Sequence, residues 1–348
     1  MKQIYSPLPQ ERFLISVEAS PVWEIALGIA AFTHSKLRHT FEQNENWLQH
    51  QSSMPSTLVS NLKEIEDSNL WYALLMLQNK LCSSNVQDFL NSLNELEPES
   101  FYETVLPYKD RKYEAIRKNT AMNYMNGDSF FQYASYFKDH EYLNDYVLSF
   151  RQKEYKDIIG LLTETILVWS QWISEQKDWA KWLQALSFEN QKHRIIDNSR
   201  PLEEIERITG GAKYLPEPSV WQVKLVPHVS YRPWILELRS PDTKLFFYPL
   251  NEDALLEPGV PPQELIQGHK SLGDELRLKL LFQITKGPIS LQDLSIHFNV
   301  SKTTLHHQLS LLKAAKFIKV DKGIYSANAL KIQSFSKRLN QYLGEIYE

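Results

Sequence analysis

Toward the end of the chain the apolar positions fall into two short helical periods separated by a break. Leu291, Leu294 and Phe298 recur at helical spacing and give one helix an apolar face. Asn299-Val300-Ser301 interrupts the pattern, and Ser301 is a good N-cap for a second helix. In that helix Leu305, Leu309 and Leu312 repeat at i, i+4, i+7 and point inward. Lys302, Thr303, His306, His307 and Ser310 are left on the outer face. Ser295 falls where the two helices would cross closely, with no room for a large side chain. Phe317–Val320 and Ile324–Ser326 then flank Asp321-Lys322-Gly323, a tight hairpin signal with a glycine for the positive φ angle. Helix, tight turn, helix and basic hairpin predict a winged helix-turn-helix, whose second helix has the outer face of a DNA reader.

The rest of the chain has a different texture. A weak alternation in FLISVEAS suggests an extended start over Ile4 to Val17. From Pro21 to about Leu186 the pattern is almost entirely helical. Helices are expected over Val22–Phe32, Thr57–Leu81, Val86–Leu96 and Phe101–Asn126 (broken at Pro107). Others follow over Gln132–Phe150, Tyr155–Gln176 and Lys177–Leu186, with no repeat period visible. Three short runs rich in β-branched and aromatic residues come next, Ser219–Val226, Trp234–Leu238 and Leu245–Leu250. The turns between them are short, which favours a meander of antiparallel neighbours. Asn251–Lys270, with Pro258, Gly259, Pro261 and Pro262, reads as a linker. A last helix over Ala327–Tyr347 carries Ala329, Ile332, Phe335, Leu339, Tyr342, Leu343 and Ile346 on one face.

The fold class expected is therefore mainly α with minor β. An irregular helical N-terminal domain (1–200) is completed by a short antiparallel β meander (201–250). A linker (251–270), a winged helix-turn-helix (271–327) and a C-terminal helix (328–348) follow.

Composition narrows the chemistry. With 348 residues, 43% hydrophobic and 12% aromatic, the chain can bury more than one core. Its single cysteine, Cys82, excludes an internal disulfide and cysteine-rich zinc modules, and its apolar surroundings suggest a buried, inert thiol. No run approaches a membrane span, and the expectation is a soluble cytoplasmic protein. The net charge of −4 is uneven. From Ser271 onward eleven lysines and arginines face six acids, a net +5, while the remainder carries 27 against 36, a net −9. A basic module beside an acidic body suits a phosphate-contacting domain attached to one that does not touch DNA. No glycine-rich phosphate loop, G-x-S-x-G elbow or H-E-x-x-H motif occurs, so neither catalysis nor a cofactor is expected.

Trp169, Trp172, Trp179 and Trp182 fall near one helical face at i, i+3, i+10, i+13. An aromatic wall for a flat or cationic ligand, and hence an effector pocket, is one reading. The face of a core helix is the other and the commoner one.

From Leu272 to Ile318 the chain resembles the ArsR-type family of bacterial transcriptional regulators. LGDELRLKLLFQI is similar to that family's opening helix, including Arg277 after an acidic pair, and LSIHFNVSKTTLHHQLSLLKAAKFI is similar to its helix-turn-helix. Lys316 departs from the pattern, standing where the family usually has a helix-ending glycine, and a slight shift of register is expected there. PSVWQVKLVPHVSYRPWILEL is similar to a stretch ahead of the DNA-binding domain in one subgroup of the family. The family's metal sensors use a cysteine pair before the reader or Asp/His/Glu ligands on the last helix. Neither set is present, and the adjacent His306 and His307 point about 100° apart, so no metal site is expected.

The resemblance implies a homodimeric DNA-binding regulator, paired through the C-terminal helix (328–348) and expected here as a repressor on an inverted-repeat operator. A non-metal small-molecule effector or a partner at the N-terminal domain would control it. Ser301, Lys302, Thr303, Thr304, His306 and His307 would meet the major groove, and Lys319 and Lys322 the flanking phosphates. The alternatives are a winged-helix interaction scaffold that binds no DNA, and an unrecognised enzyme in the helical domain.

Overall fold

Ser20 accepts a hydrogen bond from the Trp23 N–H (3.3 Å), and Pro21 takes the first helical position after it. Together they start a helix in which every residue from Val22 to Thr33 is buried. A helix buried on all sides is a core element, and the N-terminal part of the fold is built around this one. The structure is a computed structural model. It describes residues 13–34, 37–251, 261, 263–329, 331–333, 335, 339 and 342. These divide into two compact units, Met1–Leu250 and Asn251–Glu348.

In the first unit, β1 (Leu14–Val17) leads into the buried helix α1 (Pro21–Thr33). Then come α2 (Asn44–His50), α3 (Ser56–Ser68), α4 (Trp71–Leu81), α5 (Val86–Asn94), α6 (Pro98–Val105) and α7 (Glu114–Met122). They are followed by α8 (Gly127–Ala134), α9 (Leu143–Ser149), α10 (Tyr155–Ser174), α11 (Trp179–Lys192) and α12 (Pro201–Thr209). The expected extended start is seen from Leu14 to Val17; the portion from Ile4 to Arg12 lies outside the described residues.

The long helices read from the sequence are subdivided. Asn69 (φ 55°) ends α3 in the left-handed region, so the expected Thr57–Leu81 helix becomes two. Asparagine tolerates that conformation better than most residues, and a helical period carries no mark of it. Cys82 (φ 50°) ends α4 in the same way, and this exposes the thiol rather than burying it. Its Sγ lies 3.4 Å from Nζ of the buried Lys224, which also pairs with Glu18 (3.2 Å).

The sheet of this unit corrects the expected meander. β2 (Gln222–His228), β3 (Leu236–Arg239) and β4 (Thr243–Pro249) join β1 in the order β1-β2-β4-β3. β1 runs parallel to β2, and β2 parallel to β4; only the β3–β4 pair is antiparallel. The segment after β2 therefore passes to the outer edge, and β4 returns between its two predecessors. The physical signal was present in VKLV and LFFYPL, which are apolar almost without alternation. Strands buried on both faces look this way, and parallel pairing in α/β layers produces them.

Val223 and Leu225 face a cluster with Ile205 and Ile208 of α12, while Trp23 of α1 meets Phe247 edge-on at 5.3 Å. The buried Glu24 of α1 accepts hydrogen bonds from the Val229 N–H (3.1 Å), the Ser230 N–H (2.6 Å) and the Ser230 hydroxyl (2.5 Å). This carboxylate satisfies the backbone where the chain leaves β2.

The second unit contains α13 (Gln263–Leu272), α14 (Glu275–Thr285), β5 (Ile289–Ser290), α15 (Leu291–Phe298), α16 (Lys302–Ala314), β6 (Ile318–Asp321) and β7 (Ile324–Ala327). α13 corrects the linker reading, because its Leu265 is buried in the core of this unit. The prolines just ahead of it hid a helix that one apolar face was enough to dock. β5 adds a third strand to the hairpin, in the order β5-β7-β6. Residues 329, 331–333, 335, 339 and 342 are helical. Ile332, Phe335, Leu339 and Tyr342 pack on the same core, with Phe335 edge-on to Phe317 at 5.1 Å. Leu343 and Ile346 of the expected stripe lie outside the described residues.

Candidate nucleic-acid interface

α14, α15 and α16 each begin on a side-chain cap. Asp274 accepts the Arg277 N–H (3.0 Å) at α14, and Ser290 the Asp293 N–H (3.1 Å) at α15. Ser301 accepts the Thr304 N–H (3.2 Å) at α16. Caps of this kind are worth about 1 kcal/mol each and fix where a helix starts. Between α15 and α16 the chain turns at Asn299, which adopts φ 51°. The Ser295 hydroxyl donates to the Val300 carbonyl (2.7 Å) and ties α15 to that turn.

α16 is held from beneath by Leu305, Leu309 and Leu312, all buried among Leu280, Ile284 and Leu294. Its opposite face presents Lys302, Thr303, His306, His307, Ser310 and Lys313, all exposed. At about 1.5 Å per residue the helix is about 20 Å long and narrow enough for a major groove about 12 Å wide. Ser301 and Thr304 are exposed as well, but their hydroxyls engage each other at 2.9 Å within the cap. They therefore set the start of the helix, and the cap leaves the Lys302 and Thr303 N–H groups at its open end. Exposed Lys319 lies on β6, and exposed Lys322 occupies the hairpin tip beside Gly323. Both tip residues have positive φ (46° and 80°), as a two-residue hairpin turn requires.

Two contributors were not singled out from the sequence for this role. Arg277 of α14 donates to the Gln308 Oε1 of α16 (2.7 Å) and to the Ser271 and Lys270 carbonyls (2.5 and 3.0 Å). One guanidinium thus braces α16 against the ends of α13 and α14, a use of the planar fork that lysine could not reproduce. At the far end of α16, Lys316 takes φ 61° itself, and the Phe317 N–H bonds to the Leu312 carbonyl (3.0 Å). The helix closes as it would on a glycine, so the expected shift of register does not occur.

The four tryptophans considered as an effector wall are core residues. Trp169, Trp172, Trp179 and Trp182 are all buried. Trp169 packs edge-on against Phe32, Trp47 and Trp172, and the Trp172 indole N–H donates to the Ser53 hydroxyl (3.1 Å). Gly28 lets α1 approach this cluster closely, since a Cβ there would lie 3.1 Å from the Trp169 ring. Among the described residues, no three His, Cys, Asp or Glu side chains converge as metal ligands would, and no helix is long and apolar enough to cross a membrane.

Residues 274–320, from the cap of α14 into β6, match the family described as bacterial regulatory protein, arsR family. No curated protein and no solved structure matches the chain. The matched span contains the caps of α14, α15 and α16 and the buried leucine row and exposed polar face of α16. The C-terminal unit is thus a helix-turn-helix domain of the bacterial arsR regulatory type, the DNA-binding part of a transcriptional regulator.

Proposed function

We propose that the protein is a homodimeric repressor that binds an inverted-repeat operator and is released or retained by a non-metal effector at its N-terminal unit. The observation that carries this reading is the outer face of α16. Six polar side chains with no acid among them stand opposite a fully buried leucine row, on a helix capped at its start and braced by Arg277. Lys302 and the two histidines can donate to guanine or phosphate, Thr303 can approach a thymine methyl, and Lys319 and Lys322 can hold the backbone. A protein-interaction scaffold has less support, because its reader helix would be expected to carry scattered acids.

Pairing of two copies has its own support. Leu278 and Phe282, one turn apart on α14, are 50% and 64% exposed. Apolar side chains of that size at i, i+4 on an outer face mark an association surface. The helical unit is read as a binding unit with no catalytic activity, and the regulator works in the cytoplasm, where the chromosome lies.

The test is binding of the purified protein to the promoter fragment upstream of its own gene at two salt concentrations. Specific binding should weaken steeply with salt, and Lys302→Ala, Lys319→Ala and Lys322→Ala should each flatten the log–log salt slope by about 1. Two copies per site should be seen by sedimentation. Binding that ignores both salt and sequence would defeat the reading.

A further inference from the structure

A cavity of about 420 Å³ lies in the N-terminal unit between the C-terminal end of α11 and the edge strand β1. Ile15 and Val17 of β1, with Ile196 beyond α11, form its apolar wall, and the exposed Ile195 stands at its rim. Its polar wall includes His193, Arg194, Asn190 and Asn198, and no carboxylate lines it. Along β1 the Leu14 and Glu18 N–H groups bond to the Trp221 and Leu225 carbonyls (2.9 and 3.0 Å). Alternation along the strand turns the peptide groups of Ile15 and Val17 to the open edge of the sheet. The cavity thus presents one permanent cation, Arg194, beside side-chain amides and outward peptide groups, with no carboxylate in its lining.

The histidine on this wall is built in rather than accidental. His193 is only 5% exposed, and its Nε2 lies 2.9 Å from Glu189 Oε1. The same oxygen meets the Tyr248 hydroxyl at 3.4 Å, and Oε2 accepts from Lys192 Nζ at 2.9 Å. Burial alone would raise the Glu189 carboxyl, but the hydrogen bonds and charges of His193 and Lys192 outweigh it and hold the group below its ordinary value. Glu189 stays ionised beneath the ring and fixes its orientation, as a carboxylate behind a binding histidine does. The Ser16 hydroxyl is engaged with Glu18 Oε1 at 3.5 Å, so the pair sits beside no freed nucleophile and suits holding a ligand rather than turning one over.

We propose that this cavity binds a small organic carboxylate with a short apolar body, the charge received by Arg194 and His193 and the body by Ile15, Val17 and Ile196. The proposal rests on the reading of the N-terminal unit as the effector-holding part.

The full-length protein, free of DNA, is titrated by calorimetry with hexanoate, isovalerate and benzoate. Hexan-1-ol and hexylamine serve as uncharged and cationic counterparts. At least one acid should bind about tenfold or more tightly than either counterpart, the size of one charge-assisted contact. Arg194→Ala, at an exposed position, should weaken that acid by about fivefold or more, and Asn198→Asp, which adds a negative charge to the wall, by at least as much. Unchanged melting temperatures would show that both variants are folded. Failure of every acid to bind, equal binding of the alcohol, or wild-type affinity in both variants would overturn the assignment. Promoter binding is measured separately. Specific DNA binding without acid binding would remove this site and leave the regulator reading intact. Acid binding without promoter binding would sustain the site and remove the regulator reading.

Discussion

His228 at the end of β2 is fully buried and lies edge-on to Tyr231 with ring centroids 6.0 Å apart. Burial, reinforced by the nearby Arg232 charge and only partly opposed by backbone contacts at Trp234 and Phe247, pushes its pKa down to about 3 from an ordinary 6.5. Between those two values the unfolded chain binds a proton that the folded chain refuses, so acidification through that window favours unfolding. Glu24 acts in the opposite sense. Burial raises its carboxyl, the Ser230 hydroxyl and the Val229 and Ser230 N–H groups offset only part of that, and its protonation on acidification favours the folded state. Comparing variants isolates the histidine. Between about pH 7 and about pH 5, His228→Asn should lose about 2 kcal/mol less stability than the wild type, measured by denaturant unfolding at the two pH values. Equal losses would mean that another group sets the acid sensitivity.

At the scale of the element, α16 shows how local rules and tertiary demands meet. The leucine period, the Ser301 cap and the Lys322-Gly323 turn were all legible in the sequence, because each depends on residues within one or two turns of chain. Lys316 was not, because its backbone conformation is imposed by the need to bring Phe317 and Ile318 back into the core beneath α16. An L-residue held at φ 61° carries strain that glycine would not. Lys316→Gly should therefore stabilise the C-terminal unit by about 0.5–1 kcal/mol in thermal or denaturant melts. A loss of stability would mean that packing of the lysine stem outweighs the strain. The order of the larger sheet was illegible for a related reason. Which strand lies beside β2 is decided by burial on both faces, and turn length in the sequence pointed to the wrong neighbour. α13 was hidden by the prolines before it, and the α3–α4 division by an asparagine that looks like any polar residue of a helix.

At the scale of the whole chain, the two units keep separate cores, with Leu265, Leu305, Leu312, Phe317 and Phe335 among those of the C-terminal one. The charge imbalance read from the sequence is weaker across this division, with 12 lysines and arginines against 10 acids in residues 251–348 and 26 against 32 in residues 1–250. The cavity at His193 left no trace there, because residues 15–17 and 190–198 come together only through the fold and follow no fixed spacing. A fragment spanning Asn251–Glu348 should unfold cooperatively and keep salt-dependent DNA binding, while losing any response to hexanoate; electrophoretic mobility shift with and without the acid checks both. A fragment that fails to fold would show that its core needs the first unit. The two halves also differ in when they can form. The carboxylate of Glu24 finds its backbone partner 205 residues later, at Val229, and β1 waits about as long for β2. During synthesis the helices of the first unit therefore emerge and must be kept from wrong associations for many seconds before the sheet that organises them exists. The reader domain, whose contacts are mostly local, can close as soon as it leaves the ribosome. The first unit, whose closing contacts join residues 205 positions apart, is therefore the slower half to complete.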